Sequence, residues 1–149
     1  MSSISKLPKV KIFSDGASRG NPGPSAAAFI ILSADDKVLK RCSRFIGVGT
    51  NNQAEYRALI SALEAASDFT DQEVDCSLDS ELVVKQLNGD YEVHNLVLKG
   101  LWLEVNRMKK GFRNVSFMYV RRTNLYIQQV DEMANEILDD VENRFKPGA

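Results

Sequence analysis

Four carboxylates in this chain stand where the surrounding pattern calls for an apolar side chain, and that recurrence limits what the chain can fold into. Val10 to Phe13 reads as a short apolar strand that brings Asp15 to its end. A turn rich in small residues follows, Gly16-Ala17-Ser18-Arg19-Gly20-Asn21-Pro22-Gly23-Pro24, and lets another backbone come close. Glu55 comes after Thr50-Asn51-Asn52-Gln53, Asp79 ends the run Cys76-Ser77-Leu78, and Asp131 lies on a helix near the C-terminus. Acids that interrupt buried patterns need compensation for their charge, which suggests a divalent-metal centre.

The elements between them set the topology. Ser25 to Ser33 reads as a second strand, alternating toward its end; Asp35-Asp36-Lys37 makes a hairpin turn, and Val38 to Ile46 is the third strand. Helical spacing begins after Gly47-Val48-Gly49, capped by Thr50 or Asn51, and continues to Phe69. Val74 to Leu78 is a fourth strand, and Ser80 caps a helix over Glu81 to Leu87. A helix from Asn95 to Met108, a strand from Val115 to Val120 and a helix from Gln128 to Phe145 complete the order βββαβααβα. Hairpin-linked strands are antiparallel, and strands joined through helices are parallel with right-handed crossovers. The result is an α/β fold with a mixed sheet, in which the ends of the first and fourth strands bring Asp15 near Asp79. With 149 residues and no internal repeat, the chain is predicted to be one domain over 1–149, with 1–8 and 146–149 as loose ends.

Each acid also has a structural reading. Glu55, Leu59, Ala62 and Ala66 follow helical steps, so Glu55 shares the face that packs on the sheet. The competing reading is a capping-box or helix-dipole glutamate. Asp131, Ala134, Leu138 and Val141 place Asp131 at the edge of an apolar stripe, against the alternative of an ordinary first-turn acid. Asp79, before Ser80, also suits an Asx-type turn or an N-cap, and Asp15, before Gly16, a turn aspartate. All four clustered together would repel unless cations compensated them. Oxygen ligands without nearby His or Cys favour Mg²⁺ or Mn²⁺, and two such ions about 3.5–4 Å apart can drive phosphodiester hydrolysis.

Charge narrows the partners. With 19 basic and 20 acidic residues, no global field attracts nucleic acid, so local basic patches must do so. Cys42 and Cys76 lack metal-ligand or redox spacing and suit a reducing compartment. No apolar stretch approaches the roughly 20 residues a bilayer span needs, and Met1 to Lys9 has no secretory pattern, so the cytoplasm is the expected location. No membrane or protein partner is evident, and a monomer is expected.

Three ordered motifs now carry a resemblance: Asp15 to Pro24, Thr50-Asn51-Asn52-Gln53-Ala54-Glu55-Tyr56, and Asp79-Ser80-Glu81-Leu82-Val83. From about Val10 to Phe145 the chain is similar to the type 1 ribonuclease H family. The resemblance implies a ribonuclease H-like sheet of order 3-2-1-4-5 flanked by helices, and cleavage of the RNA strand of RNA/DNA hybrids to 5′-phosphate and 3′-hydroxyl ends. It also implies two ions per site, Mg²⁺ or Mn²⁺. Asp15 would bridge both, Asp131 would complete the site of the attacking water, and Glu55 and Asp79 the site beside the leaving oxygen. Ser18, Gly20, Asn21, Asn51, Asn52 and Glu81 match positions that contact the hybrid's minor groove. Thr50 and Asn21 match positions that hold a phosphate of the DNA strand. Helix capping is the alternative for Asn51 and Asn52.

Three departures accompany the match. Ile127 stands where the family usually has an Asn four residues before the last Asp, and Asn124 lies further back. The mobile His that many members carry in that loop is missing, because the only histidine is His94, expected on a surface helix. The basic handle is absent too, since Asp90 to Asn95 runs quickly into the next helix, as in a compact subgroup of the family. Hybrid affinity would then rest on Arg107, Lys109, Lys110, Arg113, Arg121 and Arg122. Two other readings remain: a catalytically weak hybrid-binding domain, and another two-metal nuclease of the same fold.

Overall fold

The computed structural model describes residues 6–144. The elements run β1 (Lys9–Ser18), β2 (Gly23–Ser33), β3 (Val38–Gly49), α1 (Asn51–Ala66), β4 (Glu73–Leu78), α2 (Glu81–Leu87), α3 (Leu96–Lys109), β5 (Asn114–Tyr119) and α4 (Leu125–Arg144). One sheet holds all five strands in the order β3-β2-β1-β4-β5. The first three strands are antiparallel, while β1 pairs with β4, and β4 with β5, in parallel, as the element order predicts.

β1 is longer than its apolar run suggests. Asp15 to Ser18 continue the antiparallel ladder, opposite Ala28 to Ser25 of β2. Pairing with β4 stops at Phe13 opposite Ser77, because β4 ends and the chain turns at Asp79 and Ser80 into α2. Asp15 therefore sits inside a strand on one side and level with the end of a strand on the other. The juxtaposition with Asp79 arises from that mismatch.

β2 is buried along nearly its whole length, so its Ala-Ala-Ala-Phe-Ile-Ile-Leu run reflects coverage on both faces rather than alternation. One face packs against a cluster that includes Tyr56, Leu59 and Leu63 of α1 and Val105 of α3. The other packs against Ile127, Val130, Ala134 and Leu138 of α4. β3 extends to Gly49 instead of stopping at Ile46. Phe45 pairs with Ala26 and Gly47 with Ser25, so Ile46 is an extra residue, and Gly47 takes the bulge conformation at φ +84°.

The helix limits shift for local reasons. α1 ends at Ala66, with Ser67 as its C-cap, rather than at Phe69. α4 starts at Leu125 because Asn124 Oδ1 accepts hydrogen bonds from the amides of Tyr126 and Ile127. Ile127 is buried in the core, which accounts for an apolar residue at that position. Residues 6–8 are not loose: Leu7 N donates to Phe69 O, Thr70 Oγ1 to Leu7 O, and Glu73 N to Pro8 O. The remainder of the expected N-terminal loose end, the segment 146–149 and the expected helix end at Phe145 lie outside the described residues. No helix among the described residues is long and apolar enough to cross a membrane.

Candidate metal centre and nucleic-acid interface

Gly16 is where the sheet meets α1. A Cβ there would lie 2.1 Å from the carbonyl carbon of Ala54, so only glycine permits this approach. The approach lets Gly16 N donate to Glu55 Oε1 at 3.0 Å. Thr50 forms the helix start: its side chain accepts from Gln53 N, and Gln53 Oε1 accepts from Thr50 N. This capping box frees Asn51 and Asn52 from capping and leaves Glu55 to turn inward. The stripe Glu55, Leu59, Ala62, Ala66 is buried throughout, as its spacing predicts.

Asp15, Glu55 and Asp79 each offer a carboxylate oxygen, and these oxygens lie within 4.8 Å of one another. They line a cleft of about 210 Å³ together with Gly16, Asn51, Ser80, Arg122 and Asp131. Asp15 and Glu55 are buried, and Glu55 Oε2 has no hydrogen-bond partner among the described residues. A buried carboxylate oxygen left without a donor is costly, and a cation would satisfy it. Burial raises the Asp15 carboxyl, and the hydrogen bond and charge of Glu55 add to the rise, followed by the charges of Asp79 and Asp131. Glu55 is raised to about 7, chiefly by burial, against the opposing hydrogen bonds of Asp15 and the Gly16 amide. Asp79 is also raised by burial, with the nearby Arg122 guanidinium pulling the other way. Three oxygen donors held against their own repulsion fit a hard divalent cation.

Asp131 is placed differently from the other three. It lines the cleft but is exposed at its mouth, outside the group of converging oxygens, whereas its neighbours Val130 and Ala134 are buried. The apolar stripe of α4 thus runs beside Asp131 and leaves it facing the cleft opening. Asn135 Nδ2 donates to Asp131 O at 2.9 Å and to Asp131 Oδ1 at 3.3 Å.

The other candidate residues divide into two groups. Asn21 Oδ1 accepts from Asn51 N at 3.0 Å, and Ser18 Oγ donates to Gly49 O at 2.8 Å. These bonds gather Ser18, Gly20, Asn21, Thr50, Asn51 and Asn52 at the junction of the β1–β2 loop with the start of α1. Glu81 lies apart in the first turn of α2, exposed and paired with Lys85. Its neighbour Ser80 both caps α2 and lines the cleft. His94 is exposed in the α2–α3 connection, beside Glu92, rather than on a helix.

Arg122 is the residue whose place the sequence does not single out. Its Nε lies 3.5 Å from Asp79 Oδ2, although the Arg122 side chain is 91% exposed. In the sequence it is one of six surface cations, and only its position just before α4 hinted that it could reach the acids.

A five-stranded 3-2-1-4-5 sheet with carboxylates gathered where β1 outruns β4 defines the ribonuclease H-like class of folds. The family model described as reverse transcriptase-like matches residues 13–137. Ribonuclease HI of Halobacterium salinarum is 42% identical over 133 residues, covering 89% of this chain and 65% of that protein. A bifunctional protein of Mycobacterium tuberculosis is 38% identical over 133 residues, covering 88% of this chain and 36% of its own length. The chain therefore spans less than two thirds of either relative. The crystal structure of LC11-RNase H1 in complex with an RNA/DNA hybrid superposes with a TM-score of 0.83 at 36% identity, covering 89% of this chain and 98% of that one. The chain belongs to the ribonuclease H family.

Proposed function

We propose that this chain is a divalent-cation-dependent endoribonuclease that hydrolyses the RNA strand of RNA/DNA hybrids to 5′-phosphate and 3′-hydroxyl products. The observation that carries the reading is the gathering of carboxylate oxygens of Asp15, Glu55 and Asp79 within 4.8 Å of one another, with Glu55 Oε2 lacking a hydrogen-bond partner among the described residues, near the Asn21–Asn51 surface. Asp15, Glu55, Asp79 and Asp131 would hold Mg²⁺ or Mn²⁺, two ions per site. Bound there, the ions supply Lewis-acid stabilisation of the phosphodiester and acidify the attacking water.

The chain's own residues then bind and orient. The Gly16 amide fixes one oxygen of Glu55 and so aims the other at the cluster. Asn21 and Asn51, whose side-chain amide nitrogens have no acceptor among the described residues, would donate to successive 2′-hydroxyls in the minor groove, the group that distinguishes RNA from DNA. Ser18, Gly20, Asn52 and Glu81 extend that groove contact, and Thr50 with Asn21 holds a DNA-strand phosphate. The exposed Arg122 guanidinium, free to swing from Asp79, meets the charge of the scissile phosphate. We place the protein in the cytoplasm as a monomer; two unpaired cysteines accord with a reducing compartment.

Purified protein incubated with labelled RNA/DNA, RNA/RNA and DNA/DNA duplexes, with Mg²⁺, Mn²⁺ or chelator, tests the reading. Cation-dependent cutting of the RNA in the hybrid is expected. Binding without cutting would favour the hybrid-binding reading, and cutting of the DNA duplex would favour another nuclease of the same fold.

A further inference from the structure

Arg19 projects from the β1–β2 loop, between Ser18 and Gly20, and reaches across to α4. Its Nη2 donates to Asn135 O and Oδ1, each at 3.3 Å, and lies 2.7 Å from Asp139 Oδ1; its Nη1 lies 2.9 Å from Glu142 Oε1. The loop end of this link is tied by backbone contacts. Arg19 N donates to Pro24 O at 2.8 Å, and a Cβ on Gly23 would lie 2.1 Å from Arg19 O. Because Asn135 Oδ1 accepts from Arg19, its amide nitrogen must face the other way, toward Asp131 Oδ1. An exposed aspartate at a cleft mouth would otherwise sample several rotamers.

We propose that Arg19 and Asn135 are positioning residues, a strut from the hybrid-binding loop to α4 that holds the Asp131 carboxylate toward the Asp15, Glu55 and Asp79 cluster. The inference rests on the assignment of Asp131 to the cation-holding set. It adds a route by which loop contact with the hybrid bears on cation binding, since Arg19 adjoins the Ser18 and Gly20 contacts. A carboxylate held in one rotamer by an amide donor loses less freedom on binding a cation, and outer partners of this kind set affinity by about tenfold or more. The ion pairs to Asp139 and Glu142 alone would give only a surface link of little energetic value.

The test compares Asn135→Ala, Arg19→Lys and Asp131→Asn with wild type. It uses Mn²⁺ calorimetry on the substrate-free protein, hybrid-cleavage kinetics over a Mn²⁺ series, and melting temperature. Arg19→Lys keeps a charge for Asp139 and Glu142 but loses the fork that reaches Asn135, so it carries the test should Asn135→Ala not fold. Asn135→Ala is expected to weaken Mn²⁺ binding about tenfold, lower kcat by a similar factor and leave KM for hybrid unchanged. In the Asp131→Asn background it should weaken Mn²⁺ binding no further. Wild-type Mn²⁺ affinity and kcat in both strut variants, with Asp131→Asn impaired, would overturn the strut alone. An undiminished effect of Asn135→Ala in the Asp131→Asn background would also overturn it. Wild-type behaviour of Asp131→Asn would instead overturn the underlying assignment of Asp131.

Discussion

The amide of Gly16 donates to Glu55 Oε1 at 3.0 Å, and this single bond joins the central strand to the helix that carries the second acid of the cluster. It exists because residue 16 has no side chain, as a Cβ would overlap the Ala54 peptide at about 2.1 Å. Gly16→Ala must therefore push α1 off the sheet. We expect a loss of about 3 kcal/mol in denaturant unfolding, at the upper end for overpacking, together with loss of Mn²⁺ binding. Wild-type stability in that variant would show that the contact can open without cost.

Stability of the cation-free protein should depend on pH in an unusual direction. Glu55 is raised from 4.5 to about 7, and Asp15 is raised as well, so the folded state holds protons that the unfolded state releases. The Glu55 contribution is fully present below its ordinary carboxylate range and is lost as pH rises through the folded value, across about pH 4.5 to 7, while that of Asp15 continues to fall at higher pH. Chelated protein should therefore lose stability over that window, and Mn²⁺ should restore it. Asp15→Asn, which replaces a carboxyl whose ionisation burial opposes by a neutral group of the same shape, should raise neutral-pH stability without cation by roughly 2 kcal/mol. Denaturant unfolding with chelator at several pH values decides the sign.

Three variants rank the acids. Asp79→Asn should keep the melting temperature and lower hybrid cleavage by about a hundredfold or more, since it removes an anionic ligand at almost constant shape. Wild-type turnover would remove Asp79 from the site. Asp131→Asn should cost far more activity than Glu132→Gln, because Asp131 lines the cleft and Glu132 does not. The reverse order would mean that α4 presents a different face to the substrate.

Arg122 competes with cations for Asp79 yet offers a positive charge to a phosphate. Arg122→Ala is therefore expected to bind Mn²⁺ as tightly as wild type, or up to about fivefold more tightly, while turning over hybrid more slowly. Calorimetry and kinetics on the one variant separate these effects. Weaker Mn²⁺ binding would show that Arg122 supports the cluster instead of competing with it.

Much of this organisation was legible in the sequence because it rests on local chemistry. Strand direction followed from which strands are joined by turns and which by helices, the order 3-2-1-4-5 from the resemblance carried by the three motifs, and the burial of Glu55 from its helical steps. Other features depend on partners distant in the chain. The length of β1 past Asp15 is set by pairing with β2, which no apolar run announces. The extension of β3 to Gly49 depends on a bulge at Ile46 that a sequence pattern reads as a strand end. Asp131 looked like the edge of a buried stripe, but side-chain spacing fixes only a helix face, and how far that face opens to solvent depends on the cleft beside it. Asn124 and Ile127 looked like an aberrant motif and turn out to be a helix cap and a core residue.

The central claim is most directly tested by manganese-edge anomalous diffraction from crystals soaked in Mn²⁺. Peaks are expected in contact with Asp15, shared with Glu55 and Asp79 on one side and reaching toward Asp131 on the other. A map with no peak at Asp15, in crystals where the three carboxylates still converge, would contradict the account.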